Sequence, residues 1–174
     1  MANTKDMVLL KQGADNWNRW RLESIGLDQN SKEADFLKVS FSRVDLSGSN
    51  LRELNLRGFN LCRANLSRAN LCEANLCEAN LCEAICHMTN LRGAILIRAN
   101  LIEVFLRNAD LTGANLSGSD LAGANLSGSN LTGANLYGAN LKGAILRNSD
   151  LSDANLNGAN LSGAILKGAI ISRI

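Results

Sequence analysis

All five cysteines and the single histidine fall in one stretch of the chain, as Cys62, Cys72, Cys77, Cys82, Cys86 and His87. Thiolate and imidazole are zinc ligands, but a structural site needs about four of them converging at roughly 2.0–2.3 Å. Cys72, Cys77 and Cys82 recur every five residues, and in a winding chain such a step turns each one away from the last. Five acids, Glu53, Glu73, Glu78, Glu83 and Glu103, share the same spacing rule. Paired carboxylates do acid–base work when burial drives their pKa values apart. Here they lie among cations, Arg63 and Arg98, so solvated charge ladders are the expected state, each pair worth about 0–1 kcal/mol. No long loop is available to bring a serine and an aspartate around His87, so no nucleophilic triad is expected. The sequence assigns no catalytic, metal or cofactor residue.

The element that positions these side chains is a repeat. From Phe36 to Ile171, every residue number ending in 1 or 6 is a hydrophobe or Cys86, and 24 of those 28 positions are leucine. Asn or Asp usually precedes this central residue, and a small residue, usually Ala, stands two before it, as in Ala64-Asn65-Leu66. A period of five fits neither an α-helix nor a plain alternating strand. Small and large apolar residues two apart both face inward on a short strand, leaving the other three positions outside. The 13 glycines of the repeat all stand two after the centre, from Gly48 to Gly168, which predicts a corner with positive φ there. Each pentapeptide is therefore one short strand plus one bend.

Departures from the consensus measure the turn. Ile85, Phe105, Ile145 and Ile165 replace Asn/Asp at separations that are multiples of twenty; Ile95 and Ile170 fall elsewhere. Ser49, Thr89, Ser129 and Ser149 repeat the pattern at the alanine position, with Ser119 the exception. Opposite charges meet at the same interval, Arg63 with Glu83 and Glu78 with Arg98. Four pentapeptides and four faces per coil explain these coincidences.

Outside the repeat, residues 1–33 read as a helical capping segment ahead of the repeat domain, 34–174. A first helix over Lys5 to Gln12 stops at Gly13. Asp15 is placed to cap a second, which carries Trp17 and Trp20 on one face and ends at Gly26. The tryptophans are expected to cover the end of the stack, since an open sheet edge invites further pairing. The net charge is +2 and proline is absent; neither a nucleic-acid binder nor a strongly acidic protein is implied. No secretory signal and no run of about 20 apolar residues is seen, so the expectation is a cytosolic chain with reduced thiols.

The pattern in Ala69-Asn70-Leu71-Cys72-Glu73 and Ala134-Asn135-Leu136-Tyr137-Gly138 resembles the pentapeptide-repeat family, over 140 of 174 residues. Trp17-Asn18-Arg19-Trp20-Arg21 is also similar to helical segments that precede the repeats of bacterial members. The resemblance implies an all-β solenoid, a right-handed quadrilateral parallel β-helix of about seven coils with a short N-terminal α-helical cap. It also brings in members that imitate B-form DNA and bind type II topoisomerases. That mode needs a dominantly acidic surface, and the repeat here holds 13 Lys/Arg against 11 Asp/Glu. A non-enzymatic scaffold or protein-interaction module of unassigned role is the reading adopted, with the DNA-mimic modulator as the alternative.

Two surfaces are singled out. The column Ile85, Phe105, Ile145 and Ile165, flanked by His87, Arg107, Arg147 and Lys167, forms an apolar stripe rimmed by cations, which suits a protein contact. Strand packing by β-branched residues explains the same column equally well. The C-terminal end gathers Ile165, Leu166, Ile170, Ile171 and Ile174, a self-association surface for a homodimer. Cys62 and Cys82 stand one coil apart on one face; a disulfide fits there, and a ladder of two free thiols is the state expected. No cofactor, membrane or nucleic-acid partner is anticipated.

Overall fold

The computed structural model describes residues 4–23 and 40–172. The expected boundary at residues 33 and 34, the first repeat centre Phe36, and Gly26 lie outside the described residues. From Ser40 onward each Asn-position residue forms a parallel bridge with the residue twenty further on, from Ser40 with Asn60 to Asp150 with Ile170. Four pentapeptides thus complete one turn, and successive turns stack as a β-solenoid.

Each position in the pentapeptide has a physical reason. The central leucines from Leu46 to Leu151, with Cys86 in one of their places, are 0–2% exposed, and so are the small residues beside them from Ala64 to Ala144. Burying each Leu contributes about 1.5–3 kcal/mol before conformational entropy is counted. The Asn/Asp side chain turns back and accepts the N–H two residues on, as Asn60 Oδ1 does from Cys62 N at 3.1 Å. The corner closes with a bond from Ala64 N to Leu61 O at 3.0 Å. Its third residue, Arg63, has φ of 60°, the mark of a type II turn. Every corner residue from Arg43 to Gly168 is left-handed, whether glycine or not. A non-glycine there costs about 1–2 kcal/mol, which explains why glycine clusters in this phase without being required.

Helices α1 (Thr4–Lys11) and α2 (Ala14–Glu23) precede the stack. Asp15 sits inside the first turn of α2 rather than ahead of it, so it complements the helix dipole instead of acting as the expected cap residue. In every later coil the Asn-position N–H donates to the coil before, and the carbonyls at that position and two beyond accept from it. For the one strand at Asn50, α2 supplies those partners. Trp17 Nε1 donates to Asn50 O at 2.7 Å, Asn18 Oδ1 accepts from Asn50 N at 2.7 Å, and Arg21 donates to Arg52 O at 3.0 Å. Trp17 is 1% exposed, and its ring centroid lies 5.0 Å from that of Trp20 at an interplanar angle of 36°. Three side chains of one helix thereby stand in for a missing β-rung.

Candidate protein-contact face

The backbone places Asp45, Asn65, Ile85, Phe105, Asn125, Ile145 and Ile165 in one column, each bridged to the next. The expected stripe is therefore two clusters separated by Asn125, not a continuous band. Ile85, Phe105 and Ile165 are 45%, 48% and 37% exposed. Ile145, expected to be exposed with them, is half-buried, between Asn125 and Ile165 in the column.

What the apolar residues displace is informative. Where the column holds Asp45, Asn65 or Asn125, the side chain accepts from the N–H of Ser47, Ser67 or Ser127 at 2.9–3.1 Å. Ile and Phe have no acceptor, so the N–H groups of His87, Arg107, Arg147 and Lys167 lose this partner. A hydrogen bond of this kind contributes about 0.5–1.5 kcal/mol. The chain thus gives up four such bonds on this face and displays large apolar side chains in their place.

The residue two after each column member follows the same division. The polar members are accompanied by Ser47, Ser67 and Ser127, the apolar ones by His87, Arg107, Arg147 and Lys167. Among the described residues Arg107, Arg147 and Lys167 form no ion pair, whereas Arg52, Arg57, Arg63 and Arg92 are all paired elsewhere. Ile85, His87, Phe105 and Arg107 line a shallow, largely apolar groove of about 330 Å³. His87 Nδ1 lies 3.0 Å from Arg107 O, fixing the imidazole against the next coil. Sequence reasoning missed Met88, a 50% exposed corner residue that extends the apolar surface beside His87; its signal was a thioether at a position otherwise Gly or polar.

Leu166 is half-buried, Ile170 and Ile171 are 58% and 47% exposed, and Ile174 lies outside the described residues. In that last coil the N–H groups of Leu156, Leu161 and Leu166 have no acceptor among the described residues. Cys62 and Cys82 are joined as a disulfide, with Cα atoms 4.8 Å apart, rather than standing as the free thiols expected. Equivalent positions in stacked coils are one rung apart, which is within the range a disulfide spans. Cys72 and Cys77 are separate free thiols, and Cys86 points inward, where burial pushes its pKa up to about 12. Among the described residues no three His, Cys, Asp or Glu side chains converge on a metal position.

Arg63 meets Glu83 at 2.9 Å as expected, and its hydrogen bond holds the Glu83 carboxyl below the usual range. Glu78 instead pairs with Arg57 at 3.0 Å, not Arg98; the long guanidinium arm reaches from the coil before. Arg52 bridges Glu53 and Glu73, so those carboxylates do not stand as a bare pair.

The profile of the family described as pentapeptide repeats matches residues 32–62, 60–96, 94–133 and 134–173. Among solved structures the chain is similar to HetL, a pentapeptide repeat protein involved in heterocyst differentiation regulation from the cyanobacterium Nostoc sp. strain PCC 7120. The identity is 31%, the alignment covers 76% of this chain and 84% of HetL, and the TM-score is 0.37. Rfr23, a pentapeptide repeat protein from the cyanobacterium Cyanothece 51142, is 41% identical over 62% of this chain and 64% of its own, with TM-score 0.22. QnrB1, a plasmid-mediated fluoroquinolone resistance protein, is 18% identical over 74% and 67%, with TM-score 0.35. Curated protein sequences give no significant match. Among the described residues no helix is long and apolar enough to cross a membrane.

Proposed function

Because the chain belongs to the pentapeptide-repeat family, we propose that it is a non-enzymatic scaffold that binds protein through the face carrying Ile85, Phe105, Ile145 and Ile165. The observation that carries this reading is the exchange on that face: four turn hydrogen bonds are forgone, and each is replaced by an apolar side chain, three of them with Arg107, Arg147 or Lys167 alongside and one with His87. On the same footing the winding is read as right-handed and four-sided, with about seven coils behind an N-terminal cap of residues 1–33. The surface of Leu166, Ile170, Ile171 and Ile174 is assigned to self-association in a homodimer. Modulation of a type II topoisomerase by DNA mimicry ranks below this, because Arg107, Arg147 and Lys167 have the wrong sign for a phosphate-like surface.

A pull-down with the wild type, Phe105→Asp and Ile145→Asp tests the contact face. Loss of the same partner from both variants, with the circular dichroism spectrum unchanged, is expected; retention of every partner by both ends the proposal. Light scattering tests self-association separately, where Ile171→Asp should give a monomer. A wild type that stays monomeric at high concentration removes that assignment.

A further inference from the structure

Resting on the contact-face reading, we infer that the stripe receives an amphipathic α-helix with one acidic flank, supplied by a partner protein and laid along the solenoid axis. Three observations lead there. First, the strands of this face are paired on both sides and offer no edge for strand addition. Ile85 N already donates to Ala64 O at 2.9 Å and Ile85 O accepts from Leu66 N at 2.7 Å, and the neighbouring rungs repeat this. The unaccepted turn N–H groups beside the stripe are single donors one rung apart rather than a strand edge, so recognition runs chiefly through side chains, as when a helix lies in an apolar groove.

Second, the surface consists of two parallel columns. On the Phe105, Ile145 and Ile165 strands an apolar residue and a cation stand two apart, about 6–7 Å, with His87 in the cation's place beside Ile85. A strand laid along the axis presents one row of side chains downward. A helix presents an apolar stripe together with a flanking row three or four residues away. From Ile85 to Ile165 is four rungs, about 19 Å, and about 13 residues of helix cover that length. The groove between Ile85 and Phe105 takes one large apolar side chain, and the Ile145–Ile165 pair takes a second.

Third, the charges on either side differ. Arg107, Arg147 and Lys167 carry no carboxylate among the described residues and call for acids along their side. Glu103 lies on the other side of Phe105, also without an ion pair among the described residues. It repels acids from that flank and so orients the helix. A lipid surface is a weaker match, because the stripe is one strand wide and is bordered by the carboxylates of Glu83, Glu103 and Asp110.

Fluorescence anisotropy with two labelled peptides of about 14 residues tests the inference. One has Leu on one helical face and Glu along one flank; the other has Lys in place of Glu. The wild type should bind the Glu peptide at least about tenfold more tightly than the Lys peptide. Arg147→Glu/Lys167→Glu should reverse that order, and Ile145→Asn, which restores the common residue of the repeat, should weaken both. Equal affinity for the two peptides overturns the inference, as does no Glu-peptide binding at about 1 mM protein. Binding to phosphatidylglycerol vesicles that the Glu peptide fails to displace overturns it as well. If Phe105→Asp loses its partner in the pull-down while Arg147→Glu/Lys167→Glu keeps it, the contact face stands and the acidic helix falls.

Discussion

The Ile85 face and the face two pentapeptides away, which carries Asn115, Asn135 and Asn155 beyond Ile95, share a leucine-lined interior, Cys86 apart, and differ chiefly outside. On the second face the amides form a ladder: Asn135 Nδ2 donates to Asn115 Oδ1 at 3.3 Å, and Asn155 Nδ2 to Asn135 Oδ1 at 3.1 Å. Each amide oxygen also accepts a turn N–H, as from Tyr137 at 3.1 Å. On the Ile85 face that ladder stops at Asn65, which still bonds Asp45 at 3.0 Å. Above a common leucine core, then, the Asn position chooses between local hydrogen bonding and surface recognition.

If the interior is common, the largest effects must be blind to the face. Leu106→Asp under the stripe and Leu136→Asp under the ladder should each destabilise by more than about 4 kcal/mol, because a buried carboxylate has no partner there. Denaturant titration checks this, and a mild effect at either position would mean the two faces do not share a core.

Next in size is a difference inside the stripe face itself, where Cys86 occupies a leucine place. Its thiol ionises near 9 when exposed and near 12 when folded. The unfolded chain therefore gains from ionisation first, and stability falls as pH rises from about 9 towards 12, by about 1.4 kcal/mol per unit. The slope should be absent in Cys86→Ala. Equal slopes in the two proteins would place the thiol in contact with water.

Reciprocal exchanges of the outer residues sharpen the comparison. Asn135→Ile removes two ladder bonds and a turn bond and should cost about 1–3 kcal/mol. Ile145→Asn restores the turn acceptor for Arg147 N and should stabilise by about 0.5–1.5 kcal/mol. Thermal midpoints of both variants decide, and a destabilised Ile145→Asn would return the stripe to a packing role. The smallest effect belongs to the exposed Arg63–Glu83 pair. The carboxyl is held low, so its contribution is present above the ordinary carboxylate pKa and disappears as pH falls below it. The thermal midpoints of wild type and Glu83→Gln should differ only slightly at neutral pH and converge in acid.

Much of this was written in the sequence. Leu at one phase, Ala two before it and Gly two after it named the interior and the corner, because burial admits few residue types and positive φ favours glycine without requiring it. The twenty-residue turn was legible in Ile85, Phe105, Ile145 and Ile165, since stacked coils put like departures in one column. The chain by itself thus determined the repeat, its phase and the columns. Only the tertiary structure decided how neighbouring coils answer one another: that Trp17, Asn18 and Arg21 replace a rung, that Glu78 goes to Arg57, and that Cys62 bonds Cys82. It alone revealed the N–H groups left without a turn acceptor beside the stripe. Periodicity gives the position of a residue on the coil, whereas a long side chain's partner depends on reach between coils, and an unpaired backbone group shows itself only when every neighbour is in place.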